Sequence, residues 1–169
     1  MDSGILALRL AFGLLMAAHG SQKLLGWFGG HGLAGTGAFF ESLGFRPGRL
    51  FAAAAAVSEV GAGLLVALGL LGPVGPAPML SIMIVGAVSV HGANGLFAMS
   101  NGIELPLLYG IVGVALALTG PGSFSLDALL GLSALWTPTL SWGAVVAGAV
   151  GGAANLAFGR RPVPSPAGR

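Results

Sequence analysis

Apolar residues fall into five runs, at 4–25, 49–71, 76–97, 103–118 and 141–158. Runs of about 20 apolar residues match the length of helix that crosses a bilayer core of ~30 Å. The fourth run is short for a full crossing, which implies a thinned bilayer or support from neighbouring helices. A hairpin is the alternative for the fifth. There, however, Gly143, Ala147, Gly151 and Asn155 recur every fourth residue, the small-residue spacing on which membrane helices approach closely, and this favours a fifth crossing. The pattern predicts an all-α polytopic transmembrane bundle. It has a four-helix core within residues 1–131, an additional C-terminal transmembrane helix within 132–159, and a disordered tail at 160–169 that carries three prolines.

Composition strengthens this picture. Of 169 residues, 55% are hydrophobic and 7% charged. A soluble domain carries roughly 25% charged residues, so lipid is the expected solvent. Seven Lys and Arg against five Asp and Glu, with no basic stripe, exclude nucleic acid as a partner. The absence of cysteine excludes a disulfide framework, a thiolate nucleophile and Fe–S ligation by this chain. Met1-Asp2-Ser3 lacks the basic start of a signal peptide, so the first run is expected to be retained as a helix.

Five crossings place the first connection and the C-terminal tail on one side, which gathers Lys23, Arg46, Arg49, Arg160, Arg161 and Arg169. The positive-inside rule makes that side cytoplasmic and leaves the N-terminus outside. Trp27 and Trp142 lie at the ends of spans, where indoles favour the interface. In the long first connection, Thr36 is placed to cap a short interfacial helix carrying Phe39, Phe40 and Leu43 and stopped at Gly44. A weak tandem repeat is also present. His19-Gly20 before Leu24 and His91-Gly92 before Leu96 end the first and third helices, which puts both histidines at one depth.

Charged and polar groups in spans are costly and usually face the bundle interior. Counting crossings brings His19, Lys23, Glu59, His91, Asn94 and Glu104 to one membrane half. Glu59 is the deepest. Its helical neighbours Ala55, Ala56, Ala62 and Gly63 are small, so it should point inward and pair with Lys23 or a histidine. Arg9 lies in the other half, where Asp127 is a reasonable partner. A polar network that only fixes helix packing accounts for such a cluster. So does a quinone or proton site near His19, Glu59 and His91, because imidazole and carboxyl groups bond to and exchange protons with a quinone headgroup. Metal ligation by His19, His91 and Glu59 lacks the tight spacing of known ligand motifs, and no metal is assigned. The sequence Gly30-x-Gly32-x-x-Gly35 follows a membrane helix rather than a strand, so it is not a dinucleotide motif, and His31 within it is expected to be solvated. No self-contained catalytic motif is present.

The segment His19-Gly20-x-x-Lys23-Leu24-x-Gly26-Trp27-Phe28-Gly29-Gly30, followed by Gly35-Thr36 and Phe39-Phe40, resembles the DoxX family. The likeness continues through Glu59, Gly72-Pro73, Val90-His91-x-x-Asn94-Gly95, Gly102-x-Glu104 and Gly120-Pro121-Gly122-x-x-Ser125-Leu126-Asp127, over roughly residues 5–131. The resemblance implies a small four-helix protein of the bacterial inner membrane, related to subunits of a thiosulfate:quinone oxidoreductase. The segment from Leu132 onward departs from it. On this basis the expected function is a membrane subunit or anchor of a quinone-linked redox complex, with a soluble or membrane redox partner. The alternatives are a small-solute or proton-coupled transporter, or a purely structural scaffold. Exposed small-residue faces also permit a homo-oligomer.

Overall fold

The computed structural model describes residues 2–161, and they form an all-α bundle. Helix α1 spans Asp2–Leu25 and α2 Gly32–Ser42. Helix α3 spans Gly48–Leu68. Helix α4 runs over Pro76–Gly86, widens into a π turn at Ala87–His91 and tightens into a 3-10 turn at Gly92–Asn94. Helix α5 spans Glu104–Thr119, α6 is the short Leu126–Leu129, and α7 runs over Pro138–Ala154 with a π turn at Asn155–Gly159. Among the described residues, four helices are long and apolar enough to cross a membrane, including that of the fifth run. Helix α5, at 16 residues, is the short one, as its run suggested.

Helices α1 and α3 form the tightest pair because small residues meet along their seam. A Cβ added to Gly63 would stand 2.5 Å from the Gly13 carbonyl oxygen, and one added to Gly20 would stand 2.7 Å from that of Ala56. Without side chains at these positions the backbones approach closely, which maximises dispersion where lipid offers no hydrophobic drive. Helix α7 packs on α4 in the same manner, but not through the predicted face. Gly148 and Gly152 are buried against Ala77, Ser81 and Ile84, while Gly143, Ala147 and Asn155 are exposed and Gly143 has open space above it. Two four-residue repeats of small residues lie side by side on this helix, and the choice between them depends on its rotation.

The end of the bundle near Arg9 is fastened by polar groups, and the expected Arg9–Asp127 pair is not how it is done. Arg9, 3% exposed, donates to four backbone carbonyls: Val66 (3.1 Å), Ala67 (3.0 Å), Pro121 (2.5 Å) and Phe124 (2.8 Å). It thereby satisfies the last turn of α3, whose carbonyls lack partners within the helix. Asp127, fully buried, instead accepts from the N–H groups of Leu71 (2.8 Å) and Gly72 (2.6 Å) and from the Trp136 indole (2.7 Å).

At the opposite end α2 lies beside α3. It begins at Gly32, with His31 as its first flanking residue, and Thr36 is a buried interior residue rather than the cap. It stops before Gly44, whose φ of 96° suits a residue without a Cβ. The Glu41 carboxylate accepts from Gly48 N–H (3.0 Å), so α2 supplies the acid at the start of α3. The end of α7 reaches this loop. Arg161 N–H donates to Gly44 O (2.9 Å), Arg160 Nε to Leu43 O (2.9 Å), and Phe45 bridges Arg160. The first connection and the end of α7 therefore share one end of the bundle, as five crossings require. Arg160 and Arg161, expected in a disordered tail, are held there, and the rest of that tail lies outside the described residues.

Candidate functional site

The α1–α3 pair stands apart from the α4, α5 and α7 group across a cavity of about 490 Å³. Phe40, Phe45 and Phe51 form a wall on one side, with ring centroids 5.9 Å and 5.4 Å apart along the series. The end of α7 braces this wall through Gly44 and Leu43 and contributes Asn155 to the lining.

Four of the six expected residues line this cavity: His19, Lys23, Glu59 and His91. Glu59 sits about half-way along α3, is 1% exposed, and is turned inward because the positions flanking it, Ala56, Ala62 and Gly63, are buried in the helix seam. Lys23 donates to Glu59 Oε1, the one salt bridge among the described residues. Oε2 of the same carboxylate is buried with no hydrogen-bond partner. An unpartnered oxygen in a low-dielectric interior is expensive, and Glu59 lines the cavity.

Both histidines are oriented by their Nδ1 atoms. His91 Nδ1 lies 2.8 Å from the Asn101 carbonyl oxygen, which can only accept, so Nδ1 carries the proton. His19 Nδ1 lies 3.1 Å from Gln22 Oε1, and Gln22 Nε2 donates to Phe28 O (3.1 Å), which fixes the amide so that its oxygen faces the imidazole. In each neutral ring Nε2 is then an acceptor. The π turn at Ala87–His91 carries His91 at its end, and such insertions re-aim side chains at functional positions. The matching end of α1 has no such turn, so the two halves of the weak repeat share position but not backbone geometry.

Asn94 and Glu104 are not brought to the cavity. They organise the α4–α5 connection: Asn94 Nδ2 donates to Asn101 O (3.2 Å), and Glu104 Oε2 accepts from Ala98 N–H (2.7 Å). Asn94 therefore buttresses the carbonyl that orients His91. Tyr109 lines the cavity and was missed in the sequence. It packs edge-on against Phe12 (4.9 Å) and His19 (6.4 Å). Ser58, Ser81, Ser89 and Asn155 also reach the lining. The sole tyrosine of the chain, in a span and five residues after Glu104, was a detectable signal, whereas the serines were not. No group of three or more His, Asp or Glu side chains among the described residues is arranged to hold a metal ion.

A family model for DoxX matches residues 4–92, just over half of the chain. The chain belongs to the DoxX family. His19, Lys23, Glu59 and His91 all fall within the matched region, so the cavity's polar side belongs to the DoxX part of the chain. Tyr109 and Asn155 come from helices beyond it. No curated protein and no solved structure matches this DoxX protein.

Proposed function

We propose that this multi-pass DoxX-family protein is a subunit or anchor of a quinone-linked redox complex in the bacterial inner membrane, and that its cavity receives the quinone headgroup. The observation that carries this reading is the buried, unpartnered Oε2 of Glu59 beside an apolar, aromatic-walled space. A quinone carries two electrons and two protons between partners within the bilayer. Its ring suits the wall of Phe40, Phe45 and Phe51, and in the reduced form its two hydroxyls can donate to a carboxylate and an imidazole Nε2. Glu59 and His91 would accept from those hydroxyls, Lys23 would hold Glu59 in place through Oε1, and Tyr109 would confine the ring. The electron-transfer partner is a separate protein, since this chain has no cysteine and no self-contained catalytic motif.

Lys23, Arg46, Arg49, Arg160 and Arg161 share the cavity's end of the bundle, which by the positive-inside rule faces the cytoplasm. A soluble redox partner would dock there. A photoreactive quinone analogue should label peptides of α3 and α4 that line the cavity, in competition with unlabelled quinone. Labelling confined to lipid-facing residues such as Val57 and Ile111 would reject the site. For Asn94 and Glu104 a structural role is the better reading, because their hydrogen bonds stay within the α4–α5 connection.

A further inference from the structure

We infer that the cavity is built for the hydroxyl-bearing, reduced form of its ligand, a hydroquinone rather than a quinone. This rests on the quinone reading above and adds a redox-state preference to it.

Glu59 Oε1 is engaged by Lys23, and Oε2 is left as a buried acceptor. His91 spends its Nδ1 proton on Asn101 O, and in the neutral ring Nε2 is left as an acceptor. His19 spends its Nδ1 proton on Gln22 Oε1, with the same consequence. Each acceptor is set by a partner whose role is fixed: an ammonium that only donates, a backbone carbonyl that only accepts, and an amide pinned by Phe28 O. Three side chains that line one cavity, from α1, α3 and α4, therefore each carry an acceptor that the protein leaves unengaged.

A quinone carbonyl is itself an acceptor and leaves these atoms unsatisfied, whereas a hydroquinone supplies two O–H donors. Lys23 retains further N–H donors, but it stands near the end of α1 and is partly exposed. Glu59 is half-way along α3 and almost fully buried. The hydroxyls of Tyr109, Ser58 and Ser81 donate or accept and do not discriminate. The deepest group in the cavity thus decides the preference, since water competes least there.

The test is equilibrium binding to the full-length protein in nanodiscs, using three short-chain probes: a hydroquinone, its dimethyl ether and the matching quinone. A hydrogen bond to a charged acceptor is worth about 1.5–3 kcal/mol, so the hydroquinone should bind roughly ten- to a hundredfold more tightly than either of the others. Glu59→Gln replaces an acceptor-only group with one that also donates and should reduce the preference. His91→Phe, which does not depend on the fate of the buried ion pair, should reduce it as well. Equal binding of the three probes, or tighter binding of the quinone, would overturn the redox-state preference and leave the headgroup site standing. No saturable binding of any probe by the folded wild type would overturn the site itself.

Discussion

Lys23 and Glu59, 36 residues apart along the chain, form an ion pair between α1 and α3 that engages one carboxylate oxygen and leaves the other buried and unpartnered. Removing one member of a buried pair leaves an uncompensated charge, which costs more than the pair contributes. Lys23→Met should lower stability by about 3 kcal/mol, the low end of the range for such a loss because the lysine is 30% exposed. The double variant Lys23→Met with Glu59→Gln should recover most of that. Unfolding in detergent measures both, and a Lys23→Met protein as stable as the wild type would show that the charge on Glu59 is balanced elsewhere.

The seam between α1 and α3 gives a second prediction. Gly63→Leu places a side chain where the Gly13 carbonyl and the Ala17 N–H already stand 2.5 Å from a Cβ, and should cost about 1–3 kcal/mol or prevent folding. Gly61, on the same helix, has nothing within 4 Å, so Gly61→Ala should be neutral or stabilising by up to about 1 kcal/mol. Equal effects at the two positions, measured by thermal unfolding in detergent, would contradict the assigned seam.

Asp127 tests the far end of the bundle. Asp127→Ala orphans the Leu71 and Gly72 N–H groups and the Trp136 indole, each at a cost of about 1–3 kcal/mol if it stays dry. Stability should fall and Trp136 emission should shift. Ligand binding by the folded fraction should not change, because Asp127 does not line the cavity. Loss of binding with stability intact would place Asp127 in the functional site instead.

The docking of α7 on the first connection can be trapped directly. The chain has no cysteine, so Phe45→Cys combined with Arg160→Cys yields a single thiol pair. Residues facing each other in an antiparallel bridge have Cα atoms about 4.5–5.5 Å apart, within reach of a disulfide. Oxidation in membranes should close an intramolecular cross-link. Its absence, with both thiols accessible from opposite sides, would contradict five crossings.

Much of the fold could be read from the apolar runs, because in lipid the backbone must satisfy itself and a long apolar run becomes a helix. Membrane depth was readable too, and it placed His19, Lys23, Glu59 and His91 together. What depth cannot supply is rotation about each helix axis. That is why α7 packs through Gly148 and Gly152 rather than the neighbouring small-residue row, and why Ser58, Ser81 and Asn155 were not foreseen in the lining. Asn94 and Glu104 lie at the right depth, but loop backbone groups outcompete the cavity for their hydrogen bonds. Arg9 went to carbonyls rather than to Asp127 because the end of α3 offers carbonyls with acceptor capacity to spare, which no sequence pattern displays.

The headgroup site is tested most directly by saturable binding of a short-chain hydroquinone to the purified protein in nanodiscs, compared across wild type, Glu59→Gln and His91→Ala, with Gly61→Ala as a control on the same helix. Wild type and Gly61→Ala should bind saturably, and Glu59→Gln and His91→Ala, both still folded, should lose that binding. Binding that is unchanged in those two variants, or absent from folded wild type, would contradict the site and leave the Lys23–Glu59 pair as a device of helix packing.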